Sequence, residues 1–266
     1  MEKLRVVVKV GTSTLTRENG NLNLQSMDHL ARTLSDLKSM GHEIILVSSG
    51  AIAIGVSKLS MGKKPAELRM KQAAAAVGQC EMMHLYDKFF SEYNTTVAQI
   101  LLTGDDVDHP GRASHLANTF AALLELSCIP IVNENDSVSS AEIETGACKV
   151  LGDNDKLSAI VARLCGADLL ILLSDIDGLY DADPKFHPEA KLISRVTAVT
   201  DELRDAAGGA GTWRGTGGMT TKLDAAVLAM EAGIDMVITN GAYMEALYDI
   251  IEGREIGTRF TAKEAK

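Results

Sequence analysis

The chain has 266 residues, 46% hydrophobic and 23% charged, which is enough apolar material for a large core and the balance of an ordinary globular protein. Its formal net charge of -10 leaves no overall basic field to draw it toward phosphate backbones or anionic lipid, which argues against nucleic acid as a main partner. The opening MEKLRVVVKVGTS carries an apolar run that ends at Lys9, too short for a signal-peptide core or a bilayer span, so a soluble cytoplasmic protein without membrane contact is expected.

Along the chain, short β-branched runs alternate with longer helical patterns, the signature of βαβ units around a mainly parallel sheet. A strand at 4–10 leads to a helix at 25–40, a strand at 43–48 to a helix at 66–90, and a strand at 96–102 to a helix at 113–127. Strands at 129–133, 168–174 and 234–239 then lead to helices at 154–165, 218–232 and 242–252. Runs such as LLILLS at 169–174 are apolar without alternation, as expected when helices cover both faces of a sheet. In the helix at 154–165, Leu157, Ile160, Val161 and Leu164 share one face, Asp153 or Asn154 can cap its start, and Gly166 ends it.

No repeat or Pro/Ser-rich linker interrupts the pattern, so a single α/β domain over 1–266 is expected. Cys80, Cys128, Cys148 and Cys165 form no CxxC pair and read as reduced thiols. The glycine-containing stretches 139–153 and 208–218 are too polar for core, and loops of that length in a compact domain are often functional.

The candidate chemistry lies where strands end. In KVGTST, Lys9 stands near the carboxyl end of the first strand, and Gly11 lets backbone N–H groups approach a phosphate. The alternative is a lysine that snorkels, its amine in water. In VSSGAIAIG a strand breaks into Ser48, Ser49 and Gly50 before a helix starts, a natural place for a carboxylate or phosphate. NENDSVSS places Asn133, Glu134, Asn135 and Asp136 where the next strand emerges, with polar groups able to receive an α-amino group.

GDNDKLSA opens a helix with Asp153, Asn154 and Asp155, but lacks the alternate-position ligands of an EF-hand loop. It reads instead as Asn154 meeting substrate and Asp155 orienting lysines. SDIDGLY brings Ser174 and Asp175 to the same edge, while the later Asp177, Asp181 and Asp183 read as turn formers. GTGGMTTK is not a Walker A motif, yet it runs into a helix with Lys222 in the first turn, where loop N–H groups, helix dipole and lysine can hold phosphate.

In this order, the six motifs resemble the motif set of the glutamate 5-kinases within the amino acid kinase family, over essentially the full chain. The resemblance implies a three-layer αβα sandwich with a mainly parallel central sheet, with ATP on one half of the carboxyl edge and the amino acid on the other. It implies that Lys9, Ser174, Asp175, Thr216, Gly217, Gly218, Met219, Thr220, Thr221 and Lys222 serve ATP, and that Ser49, Asp136 and Asn154 hold L-glutamate. Lys9, Asp155 and Lys222 would be catalytic, with the two lysines on the phosphoryl oxygens and the leaving ADP, and Asp155 orienting both. Mg²⁺ would bridge the phosphates, with no metal site of the protein's own.

The implied reaction is ATP-dependent phosphorylation of the glutamate side-chain carboxylate to L-glutamyl 5-phosphate, the first step of proline synthesis. Proline is then the implied feedback inhibitor, and a dimer or tetramer the implied assembly. The segment 143–155 is longer than in many members, and the chain, ending at Lys266, is expected to lack the C-terminal RNA-binding-like domain that many carry. The rival readings are a same-fold kinase acting on acetylglutamate, aspartate, carbamate or a nucleoside monophosphate, and a catalytically silent nucleotide or amino acid sensor.

Overall fold

Valine, isoleucine and leucine runs build the centre of the sheet, because β-branched and apolar side chains suit strands covered on both faces. The computed structural model describes residues 2–17, 20–138, 153–184, 186–207 and 218–262. β1 (Arg5–Val10) is followed by the single turn α1 (Thr12–Leu15) and by α2 (Leu24–Ser39). β2 (Glu43–Ser48) precedes α3 (Ala51–Lys58) and α4 (Leu68–Glu92), and β3 (Val97–Leu102) precedes α5 (Gly104–Asp108) and α6 (Pro110–Glu125). Then come β4 (Ile129–Glu134), α7 (Asn154–Cys165), β5 (Leu169–Ser174), β6 (Arg195–Val196), α8 (Asp201–Ala207) and α9 (Met219–Glu231). β7 (Asp235–Asn240), α10 (Ala246–Ile251) and β8 (Thr258–Phe260) follow.

The strand order is β3-β4-β2-β1-β5-β7-β8-β6. Every pairing from β3 to β7 is parallel, β8 runs antiparallel to β7, and β6 lies parallel to β8. The parallel run brings the carboxyl ends of β1, β2, β4, β5 and β7 to one edge.

Two apolar layers cover the sheet. Val7, Ile45, Val47, Val132 and Leu172 face a cluster with Phe120 of α6, Leu157 and Val161 of α7, and Leu223 and Ala226 of α9. Val6, Val8, Ile44, Leu46 and Ile131 face the other, with Leu30 and Leu34 of α2, Met82, Tyr86 and Phe90 of α4, and Leu247 of α10. This is the three-layer αβα sandwich expected from the sequence. Among the described residues no helix is long and apolar enough to cross a membrane.

The expected strands are all present with ends shifted by a residue or so. α6 starts earlier than 113 because Pro110 fits the first turn, where its missing N–H costs nothing. α10 starts later than 242 because the Ala242 N–H donates to Asn240 Oδ1, which turns the chain first. Two- and three-residue strands such as β6 and β8 were not expected, since they are too short to carry a period.

Candidate active site

Strand parity decides which face each strand-end residue meets. Lys9 shares the face of Val7, which α7 and α9 cover, so its side chain runs toward those helices. Asp155 stands in the first turn of α7, and Lys222 on α9 approaches it from across the layer. Lys9 Nζ lies 2.6 Å from Asp155 Oδ1, and Lys222 Nζ donates to Asp155 Oδ2 at 3.1 Å. Thr221 Oγ1 donates to the same Oδ2 at 3.0 Å.

Asp155 is fully buried and both lysines are 7% exposed, so Lys9 is not a snorkelling lysine. Burial alone would push the Asp155 carboxyl up, but the charges and hydrogen bonds of Lys9 and Lys222 hold it below the usual carboxylate range. One anion between two cations leaves the cluster with a net positive charge at the carboxyl edge. The start of α7 is secured by its own cap, because the Asp153 carboxylate accepts the Asp155 N–H at 3.1 Å.

A second group lies beside it. Asn154 Nδ2 donates to the Ser48 carbonyl at 3.0 Å, to Ser49 Oγ at 2.7 Å and to Asn133 Oδ1 at 3.1 Å. α3 is entered through its N-cap Gly50, whose φ of 102° lies in the left-handed region that glycine adopts freely. Of the two serines that the sequence offered to a ligand, only Ser49 is half-exposed. Ser48 lies on the opposite sheet face, fully buried, its hydroxyl 2.8 Å from Tyr86 Oη and bonded to Met82 Sδ, so it supports β2 from below.

Asp136 is half-buried just past β4. Burial, reinforced by Glu134 and opposed by Lys64, pushes its carboxyl up to about 6. Asp153 Oδ2 is buried and makes no hydrogen bond among the described residues. It suits a cationic or water donor.

The residues expected to meet ATP are partly described. Ser174 ends β5 opposite Asn240, is buried, and donates to Asp175 Oδ1 at 3.2 Å. Gly218 caps α9, Thr221 Oγ1 also bonds the Gly218 carbonyl, and Met219 packs its side chain against the apolar layer. Thr216 and Gly217 lie outside the described residues, as does most of the segment 143–155. Asp177 and Asp181 stand at bends and tie in distant segments, Asp177 accepting from Asn240 Nδ2 and Asp181 from the Lys191 N–H, each at 2.8 Å, while the Asp183 carbonyl accepts the Phe186 N–H at 3.1 Å, as a turn former does. Sequence reasoning placed Asn133 in a polar run without choosing it, although its parity, two residues past Ile131, puts it on a helix-covered face of the sheet.

Two buried lysines on one carboxylate thus put net positive charge at the edge where open α/β sheets bind their ligands. The chain belongs to the amino acid kinase family, whose model matches residues 4–240. It is 54% identical over 98% of its length to the glutamate 5-kinase of Clostridium perfringens, covering 97% of that protein. It is 53% identical over 97% of its length to the glutamate 5-kinase of Clostridium tetani and 49% to that of Lactococcus lactis over a similar share, covering 94% and 95% of those chains. Among solved structures, carbamate kinase from Giardia lamblia bound to AMP-PNP superposes with a TM-score of 0.68 at 14% identity, covering 98% of this chain and 99% of that one. Isopentenyl phosphate kinase from T. acidophilum gives a TM-score of 0.66 at 16% identity, covering 96% and 99%. These distant structures share the fold.

Proposed function

We propose that the chain transfers the γ-phosphoryl group of ATP to the side-chain carboxylate of L-glutamate, giving L-glutamyl 5-phosphate and ADP, the first step of proline synthesis. The observation that carries the reading is the buried cluster in which Asp155 holds Lys9 and Lys222 on its two oxygens. Relatives about half identical over nearly the whole chain are named glutamate 5-kinases, which supports the choice of substrate.

The attacking group is a carboxylate, ionised at neutral pH, so no general base is required. Catalysis reduces to positioning and charge neutralisation. Lys9 and Lys222 neutralise the phosphoryl oxygens and the leaving ADP, and Asp155 sets the separation of the two ammonium groups. Ser49 and Asn154 hold the substrate, and the ionised Asp136 receives its α-ammonium group. Ser174, Asp175 and the segment from Thr216 through Gly217, Gly218, Met219, Thr220 and Thr221 to Lys222 hold the nucleotide.

Mg²⁺ carried by ATP would add charge neutralisation on the phosphates. Among the described residues no group of three or more His, Cys, Asp or Glu is arranged to hold a metal ion. The same reading includes one kinase domain, a cytoplasmic location, inhibition by proline and a homodimer or homotetramer.

The test is hydroxylamine trapping of the acyl phosphate with ATP and Mg²⁺, comparing L-glutamate with L-aspartate, N-acetylglutamate and carbamate. Hydroxamate with L-glutamate is expected; hydroxamate with another acid only would overturn the substrate.

A further inference from the structure

Beneath the substrate-side group, three amides form a directed chain that reaches α4. The Ser48 carbonyl can only accept, so the Asn154 amide must present its Nδ2 there, and the same Nδ2 reaches Asn133 Oδ1. With its oxygen used in this way, Asn133 donates through Nδ2 to Gln79 Oε1 at 3.0 Å. The direction of every amide therefore follows from one backbone carbonyl, and Gln79 is its last acceptor. Gln79 is 9% exposed and Asn133 is 2% exposed. Gln79 Nε2 is buried and makes no hydrogen bond among the described residues.

The placement has a cause in the packing of α4. A Cβ on Gly78 would lie 1.8 Å from the Ala51 carbonyl oxygen, and a Cβ on Gly55 would lie 1.8 Å from the Ala74 carbonyl oxygen. Backbone therefore rests on backbone between α3 and α4 at the point where α3 begins. The contact brings Gln79, the next residue, under the end of β4, where strand parity turns Asn133 toward α4 on the face shared with Ile131.

We infer that Gln79 is a positioning residue for the acidic substrate, acting through Asn133 to fix the Asn154 amide against Ser49. The inference rests on the proposed assignment of Ser49 and Asn154 to the substrate. Gln79 itself touches no reacting atom. Its acceptor oxygen holds Asn133 in the orientation that leaves Asn133 Oδ1 for Asn154. Without that acceptor, Asn133 keeps its direction but loses the bond that anchors it from below, so its Oδ1 is held less firmly among the three acceptors that share the two hydrogens of Asn154 Nδ2.

Gln79→Met keeps an unbranched side chain and removes the acceptor, while Gln79→Glu keeps an acceptor oxygen toward Asn133. Gln79→Met is expected to raise KM for L-glutamate about tenfold, the order of one lost hydrogen bond, with kcat and KM for ATP within about twofold. Gln79→Glu should recover most of the KM. In an Asn154→Ala background, Gln79→Met should change KM by less than about twofold, because the pathway is already cut.

Fully multiplying effects, or a fall in kcat with an unchanged KM, would overturn the inference. A substrate-free readout separates it from the proposed reaction: in the ¹⁵N-labelled chain, the Asn154 side-chain NH₂ resonance, assigned by its loss in Asn154→Ala, should move in Gln79→Met and return in Gln79→Glu. A resonance that stays put contradicts the coupling whatever the substrate is. Absence of glutamate turnover in the unaltered chain contradicts only the proposed reaction.

Discussion

Lys9 and Lys222 meet opposite oxygens of a single buried carboxylate, at 2.6 Å and 3.1 Å, although one comes from the first strand and the other from α9. Asp155 thus fixes the distance between two cations that would repel each other without it. The same residue that sets the site's geometry also sets its charge.

Asp155→Asn keeps the shape and removes the counter-charge. Its kcat is expected to fall about 10²- to 10³-fold, the usual consequence of losing one preorganised electrostatic group. Steady-state kinetics at saturating ATP would check this.

The same carboxylate predicts a pH dependence of stability. Its folded pKa lies below the ordinary value of 3.8, so the stabilisation is present above that value and is lost as pH falls through the folded pKa. Urea unfolding of the unaltered chain and of Asp155→Asn should show a stability gap at neutral pH that narrows below about pH 4. A gap that stays constant would contradict the ion-pair account.

Asp136 works in the opposite sense. With its carboxyl pushed up to about 6, it protonates on mild acidification and loses its attraction for an ammonium group. KM for L-glutamate should rise as pH drops below about 6, and Asp136→Asn should have a raised KM with a flatter pH profile. The measurement is KM against pH for both proteins.

His42 offers a test far from the site. It is buried, accepts the Leu4 N–H on Nδ1, and has an Nε2 without a hydrogen-bond partner among the described residues. Burial lowers its pKa below 6.5, so it stabilises the fold while neutral and that stability is lost as pH falls. The thermal midpoint should drop more for the unaltered chain than for His42→Asn between about pH 7.5 and 5.5.

The close seat of α4 on α3 predicts a steric effect. Gly78→Ala places a methyl group 1.8 Å from the Ala51 carbonyl oxygen, which forces the helices apart. A loss of about 3 kcal/mol in urea unfolding is expected, the upper range for overpacking. KM for L-glutamate should rise in parallel, since α3 begins immediately after Ser49 and Gly50.

The large elements were legible in the sequence because their periods are long enough to read: α7 runs over the expected residues, capped by Asp153 and ended by Gly166 at φ 62°. Lys9 was legible as a lysine at the end of an apolar strand, Lys222 as a lysine in the first turn after a glycine-rich loop, and Asp155 as an acid at the start of a helix. Ser48 was misread as facing a ligand because composition marks a strand end without saying which face its last residue takes. Gln79 carried no signal at all. It sits in a helix of mixed alanines and polar residues, and only the contact at Gly78 brings it under Asn133.

Whether the two lysines on Asp155 drive phosphoryl transfer to glutamate is decided by glutamate-dependent ADP release, with ATP and Mg²⁺, from the unaltered chain, Lys9→Ala, Lys222→Ala and the double variant. Turnover should require L-glutamate and fall about 10²-fold or more in each single variant. The double variant should be little worse than either, because the two lysines act as one unit on Asp155. Single variants that keep near-normal kcat while remaining folded would contradict that role.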